Sequence, residues 1–340
     1  MKKVIFSMCL AALAIGCAKT EVQFEQTDAI SFAPVAQVPT KTAISGTSFE
    51  ETVPLYVFAN AGYAVTDEET DVTSIPTHAP YLADAEFTRT AGNVEYTGGY
   101  YWPNVKSLMF AGYINADGTK TMSEDFTTLT VEGYTQQDSG NNDFMYFFAN
   151  NEGAGYTKQT PQIAPVMKHA CSWLVFNFIG DPITGKEGNA WVIDEVKVLN
   201  IAKKGTATLK ADSAVWTEVW DDLNKDYSVY PTDLDKEPKT LIYDADEEEA
   251  IPVVVSNANN VIVIPQAPTH LYIKYHYTSQ TGIAPTYEEK TLSLDYNSGA
   301  EWVAGKKYIY NVTVTATEIK IKPTADDWVT ETTGNFNQTI

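Results

Sequence analysis

Lys307-Tyr308-Ile309-Tyr310-Asn311-Val312-Thr313-Val314 alternates along its length. In an extended chain Tyr308, Tyr310, Val312 and Val314 fall on one side, Asn311 and Thr313 on the other. A period of two with one apolar face predicts a strand packed on one side and wet on the other. The reading extends toward the N-terminus. Leu271 to Tyr277, Val261 to Ile264, Trp191 to Leu199 and Ser172 to Phe178 are strand-like, as are Asp143 to Ala149, Ser107 to Tyr113 and Val53 to Ala59. Ala29-Ile30-Ser31-Phe32-Ala33 alternates too and is the candidate first strand. Valine, threonine and aromatic side chains are abundant and suit a pleated surface. No window sustains a helical period. Many short strands separated by turn clusters predict an all-β chain of sandwiches or barrels. Pro161 and Pro165 punctuate the middle. A chain of 340 residues then divides most economically into two sandwiches, 29–165 and 166–340.

Charge narrows the function. Lys plus Arg number 23 against 44 Asp plus Glu, a formal charge of −21. Such a surface repels phosphate backbones and lacks the cations that non-specific nucleic-acid binding requires. Nucleic acid is excluded as a partner, and so is a polybasic membrane patch.

The N-terminus reads as an export signal. Met1-Lys2-Lys3 precedes an apolar run of twelve residues, Val4 to Ile15. That is too short for a spanning helix, which needs about 20. A basic start, an apolar middle and small residues at the end describe a secretory leader. Leu13-Ala14-Ile15-Gly16-Cys17 resembles the bacterial lipobox, in which the cysteine is diacylated and the leader is cut just before it. The prediction is a signal peptide at 1–16, a lipidated Cys17, a polar tether at 17–28 and a body outside the cytoplasm.

Residues with catalytic potential are scarce. Once the leader is removed, Cys171 is the one thiol of the body, so no disulfide forms within the mature chain. It sits in the apolar run His169-Ala170-Cys171-Ser172-Trp173-Leu174 and reads as a small core residue, with a nucleophile as the alternative. His270 and His276 share one strand, about 20 Å apart at about 3.3 Å per residue, and cannot share a metal. Asp138 to Asp143 is oxygen-rich without the spacing of a calcium loop. No nucleophile elbow, phosphate loop or dinucleotide fingerprint is present. The reading is a non-enzyme with no catalytic residue, metal or cofactor.

Several short pieces fall in a familiar order. They are Lys41-Thr42, Tyr101-Trp102-Pro103, Leu108 to Tyr113 and Asp143-Phe144-Met145-Tyr146, followed by Met167-Lys168-His169-Ala170, Ile264-Pro265-Gln266, Trp302 to Tyr310 and Asp327-Trp328. On these the chain resembles the fimbrillin (type V pilin) and fimbrillin-like lipoproteins of Bacteroidales. The resemblance implies two tandem transthyretin-like (Greek-key) β-sandwich domains and a structural or accessory role in a cell-surface fimbria. It implies a lipoprotein that reaches the outer membrane and is then cut by a trypsin-like protease, which removes the first strand. The family's loop usually offers arginine, and here the matching place holds Lys41-Thr42. A neighbouring subunit then supplies a strand, joining other fimbrial subunits head to tail.

The C-terminal tail fits that role. From Trp328, large apolar groups recur at even positions, Trp328, Phe336 and Ile340, opposite a nearly all-polar face. Thirteen extended residues span about 43 Å. Residues 328–340 are the candidate donor strand, with those three side chains as its anchors. Two other readings stand beside this one: a tip adhesin of the same family with a host or bacterial surface ligand, and a surface glycan-binding lipoprotein of a nutrient-uptake system.

Overall fold

The computed structural model describes residues 29–36, 53–64, 79–90, 95–103, 106–136, 143–159, 162–180, 190–218, 225–231, 237, 239–241, 243–244, 249–250, 261–278, 286–315 and 318–327. The strands of the first half are β1 (Ala29–Phe32), β2 (Val35–Ala36), β3 (Leu55–Ala64), β4 (Ala79–Phe87) and β5 (Tyr96–Tyr101). There follow β6 (Lys106–Ile114), β7 (Thr119–Met122), β8 (Leu129–Thr135), β9 (Met145–Ala149), β10 (Gln162–Ile163) and β11 (Val166–His169). The second half holds β12 (Ser172–Gly180), β13 (Ala190–Ile201), β14 (Lys204–Leu209), β15 (Ala214–Glu218), β16 (Lys225–Tyr230) and β17 (Lys239–Thr240). Last come β18 (Tyr243–Asp244), β19 (Glu249–Ala250), β20 (Val261–Val263), β21 (His270–Thr278), β22 (Tyr287–Ser293), β23 (Lys306–Val314) and β24 (Ile319–Asp327). The fold is all-β, as the alternation predicts.

β23 shows why. Tyr308, Tyr310, Val312 and Val314 are all buried, and the residues between them are partly exposed. The strand runs parallel to β12, from Trp173 opposite Lys307 to Gly180 opposite Val314. On its other side it is antiparallel to β24. A parallel pair requires a crossover, because a tight hairpin joins only antiparallel strands. The sheet order β20-β12-β23-β24 faces β16-β13-β21-β22. Leu174, Phe176 and Phe178 of the first meet Ile193, Val196, Val198 and Ile273 of the second in one apolar core. At its rim Trp302 Nε1 donates to the Tyr310 hydroxyl (2.9 Å), and that hydroxyl donates to the Leu294 carbonyl (2.8 Å). Both of these buried ring groups thus find partners.

The first half builds a second core. A three-stranded sheet, β10-β1-β5, faces a six-stranded one, β2-β11-β9-β6-β3-β4. Val166–His169 belongs by pairing to this first-half sheet, against β9 and β2.

A fifth sheet joins the halves, which the sequence reading did not anticipate. Its order is β15-β14-β8-β7, one hairpin from each side of residue 165. β14 pairs with β8 from Lys204 opposite Thr135 to Leu209 opposite Leu129. Beneath it Leu129, Val131, Ala207 and Leu209 cover Phe58 and Tyr113 from one half and Trp173 and Ile262 from the other. Cys171 is buried in this third core, as its apolar surroundings suggest. Burial, and then the Asp143 carboxylate, push its thiol well above the usual range.

The buried phenols make stability depend on alkali. Burial raises Tyr146, and burial with the Glu288 hydrogen bond raises Tyr275, each from 10.0 to about 12. The unfolded chain releases these protons first, so their contribution is whole below pH 10.0 and is lost as pH climbs to about 12. Denaturant melts between pH 8 and 12 should therefore show falling stability above about pH 10, with tyrosinate absorbance rising in step with unfolding. Cys171 should react with a thiol reagent at the unfolding rate only.

Candidate functional site

The site is the place that β1 occupies. β1 is the middle strand of its sheet. It is antiparallel to β5, with Ser31 opposite Thr97 and Phe32 opposite Tyr96, and parallel to β10, with Phe32 opposite Ile163. Alternation sends Ile30 and Phe32 inward, and both are fully buried. The Phe32 ring lies in an aromatic nest. Its centroid is 5.0 Å from that of Phe87, 5.2 Å from Phe110 and 5.9 Å from Phe147, the first two edge-on. Trp102 packs edge-on against Phe110 behind them.

The segment then changes sheets. Proline fixes its own φ and biases the preceding residue toward extended backbone. At Pro34 the chain leaves the three-stranded sheet and continues as β2 beside β11, with Val35 opposite Val166 and Ala36 opposite Met167. Its neighbour makes the same move at Pro165. The register is constant across both sheets, so Ala33-Pro34-Val35 runs beside Ala164-Pro165-Val166. The Ala33 amide donates to the Ile163 carbonyl at the corner (2.8 Å). Gln162 to Pro165, in a stretch whose prolines suggest a boundary or crossover, is thus one wall of the β1 groove. The repeated Ala-Pro-Val was the available signal.

Residues 29–36 therefore fill a groove with β5 on one side and β10 on the other. β5 also touches the end of β4 through the Thr88–Thr97 bridge, with hydrogen bonds of 3.0 and 2.8 Å. β10 has β1 as its partner in the sheet order. Full burial of Ile30 and Phe32 contributes about 3–6 kcal/mol together. Near the groove stands Arg89, the one arginine of the chain. Its guanidinium lies over the Tyr96 ring, 5.6 Å from the centroid, and its side chain is half-buried.

Cys17, Lys41, Thr42, Trp328, Phe336 and Ile340 lie outside the described residues. β24 stops at Asp327, the residue before Trp328, on a sheet-edge strand, and residues 29–36 end five positions before Lys41.

The profile of the fimbrillin-like family matches residues 40–328. A crystal structure of a fimbrial protein from Bacteroides vulgatus aligns with a TM-score of 0.54 and 14% identity, covering 88% of this chain and 99% of that one. A candidate cell adhesion protein from Bacteroides uniformis gives 0.46 and 19%, covering 89% and 99%. The tip fimbrial protein Mfa3 of Porphyromonas gingivalis gives 0.35 and 9%, covering 88% and 99%. The first likeness supports the fold, and the other two are too distant in shape to bear on it. No functionally curated protein matches the chain.

Truncating Phe32 empties the aromatic nest. Phe32→Ala should cost the intact protein about 3–5 kcal/mol in urea unfolding. Val215→Ala, at a side chain 61% exposed, should stay within about 0.5 kcal/mol.

Proposed function

This chain belongs to the fimbrillin-like family, and we propose that it is a subunit of a cell-surface fimbria that polymerises by exchanging β1 for a strand of its neighbour. The observation that carries this reading is the burial of Ile30 and Phe32 in a groove walled by β5 and β10. A segment so placed completes its own sandwich and keeps two edges from pairing with other chains.

The leader 1–16 is removed and Cys17 is acylated, which holds the body at the outer membrane by residues 17–28. While residues 29–36 remain covalently attached, their effective concentration at the groove is in the millimolar range or higher, and no external strand competes. A protease that accepts lysine cuts between Lys41 and Thr42. β1 and β2 then become a dissociable peptide held by two apolar side chains and a short ladder. The family profile begins at residue 40, beyond both strands, which supports their being separable from the working subunit. The vacated groove takes the tail 328–340 of the next subunit by β-augmentation, with Trp328, Phe336 and Ile340 as apolar anchors. Each copy both donates and accepts, so the polymer is head-to-tail and open. Such a filament contributes to adhesion by extending the cell's contact surface. The half-buried Arg89 at the end of β4 favours a lysine-accepting enzyme.

Digestion of the purified mature protein with a lysine-specific protease should give a new N-terminus at Thr42, followed by filaments in negative stain. The same treatment of a chain lacking 328–340 should give the cut without filaments. A cut protein that stays monomeric, or a tailless one that polymerises equally, contradicts the reading. In cells, Cys17→Ser should abolish incorporation of labelled palmitate and release the protein from the surface.

A further inference from the structure

Away from the β1 groove, a cavity of about 250 Å³ opens where the β6–β7 turn meets β3 and β8. Tyr56, Asn115, Ala116, Asp117, Tyr134 and Thr135 line it. Ligand pockets for drug-sized molecules run to about 300–1,000 Å³. This one has room for a single small ring.

Its walls are fixed by contacts outside it. The Tyr56 ring stacks on Tyr113, with centroids 5.4 Å apart and planes at 15°. Tyr113 is held in turn, because its hydroxyl donates to Asp84 Oδ1 at 2.6 Å and Lys120 Nζ lies 5.1 Å from its ring centroid. The turn is fixed as well. Asn115 adopts a left-handed φ of 55°, and its Nδ2 donates to the Asp143 carbonyl at 3.2 Å. Asp117 Oδ1 accepts the Thr135 amide at 2.8 Å. The Tyr134 hydroxyl points away, donating to Gln136 Oε1 at 3.0 Å. Among the described residues the Asn115 amide oxygen, Asp117 Oδ2 and the Tyr56 hydroxyl have no hydrogen-bond partner, so these lining residues offer groups a ligand can address.

Two acceptors, a phenol and an aromatic face within one small hollow suit a ring that carries hydroxyls around its rim and C–H groups on its face. Charge selects further. Among the described residues that line the cavity none is basic, and Asp117 within it and Asp84 and Glu86 near Tyr56 repel anions. We propose that this cavity binds one uncharged pyranose ring, the terminal residue of a neutral glycan. This site is separate from strand exchange and operates in the uncut monomer.

Saturation-transfer NMR on the full chain tests it, with methyl glycosides of neutral hexoses and N-acetylhexosamines beside those of glucuronic and N-acetylneuraminic acid. At least one neutral glycoside should bind saturably with a Kd of about 1–10 mM, and the acidic ones should give no saturable signal. Ala116→Phe, which fills the hollow and leaves the hydrogen bonds in place, should weaken that binding about tenfold or more, and Tyr56→Ala should do the same. A melting curve accompanies each variant, and if Tyr56→Ala is unfolded, Ala116→Phe decides. Absence of saturable binding by every neutral glycoside, preference for the acidic ones, or binding unmoved by Ala116→Phe overturns the proposal.

Discussion

Backbone amides and carbonyls at a sheet edge must be paired, wet or blocked, and in this protein one short segment meets that demand for two sheets at once. Residues 29–36 supply the middle strand of the β10-β1-β5 sheet and, past Pro34, the strand beside β11 in the facing sheet. The apolar side of the same constraint is Phe32 among Phe87, Phe110 and Phe147. A sandwich finished by so few residues is stable while they are tethered and open to replacement when they are not. The fimbrial reading rests on that balance.

The rest of the molecule is braced where the groove ends. β11 passes through Ala170 and Cys171 directly into β12, and this crossing is tied from several directions. His169 Nδ1 sits 2.9 Å from Asp143 Oδ2, both buried. The Ala170 amide donates to the Phe144 carbonyl, and Trp216 Nε1 donates to the Ala170 carbonyl at 2.7 Å. The Gly305 amide donates to the Cys171 carbonyl, and Ser172 Oγ to the Val303 carbonyl. None of these bonds involves residues 29–36. The sheet shared by β7, β8, β14 and β15 adds its own core over the junction. The two halves are thus held together by contacts that β1 does not make.

Much of this was legible in the residues, for reasons that also explain what was not. Period two is a property of one strand and can be read one strand at a time, so β23 and β1 were visible as strands with known inward faces. Several of the short pieces behind the family resemblance prove to be packing anchors. Trp102 and Phe110 pack in the first core, Trp302, Tyr308 and Tyr310 in the other, and Gln266 is buried, its Nε2 donating to the Ala202 carbonyl. Partnership between strands is a relation across the chain, and alternation carries no trace of it. Nothing in Leu129 to Thr135 or in Lys204 to Leu209 announces that these segments pair across some seventy-five residues. The corner at Pro165 looked like punctuation because proline marks breaks and crossovers alike. The lipid, cleavage and donor residues are legible only from their neighbours in sequence, and they fall outside the described residues.

Amide hydrogen exchange at β5 and β10, followed by mass spectrometry in the intact, the cut and the assembled protein, tests the central claim most directly. The account predicts protection of peptides covering Tyr96–Tyr101 and Gln162–Ile163 before cleavage, its loss once β1 has dissociated, and its return on assembly. Protection that persists unchanged after β1 is gone would mean that the first strand closes no groove, and strand exchange at this site would be contradicted.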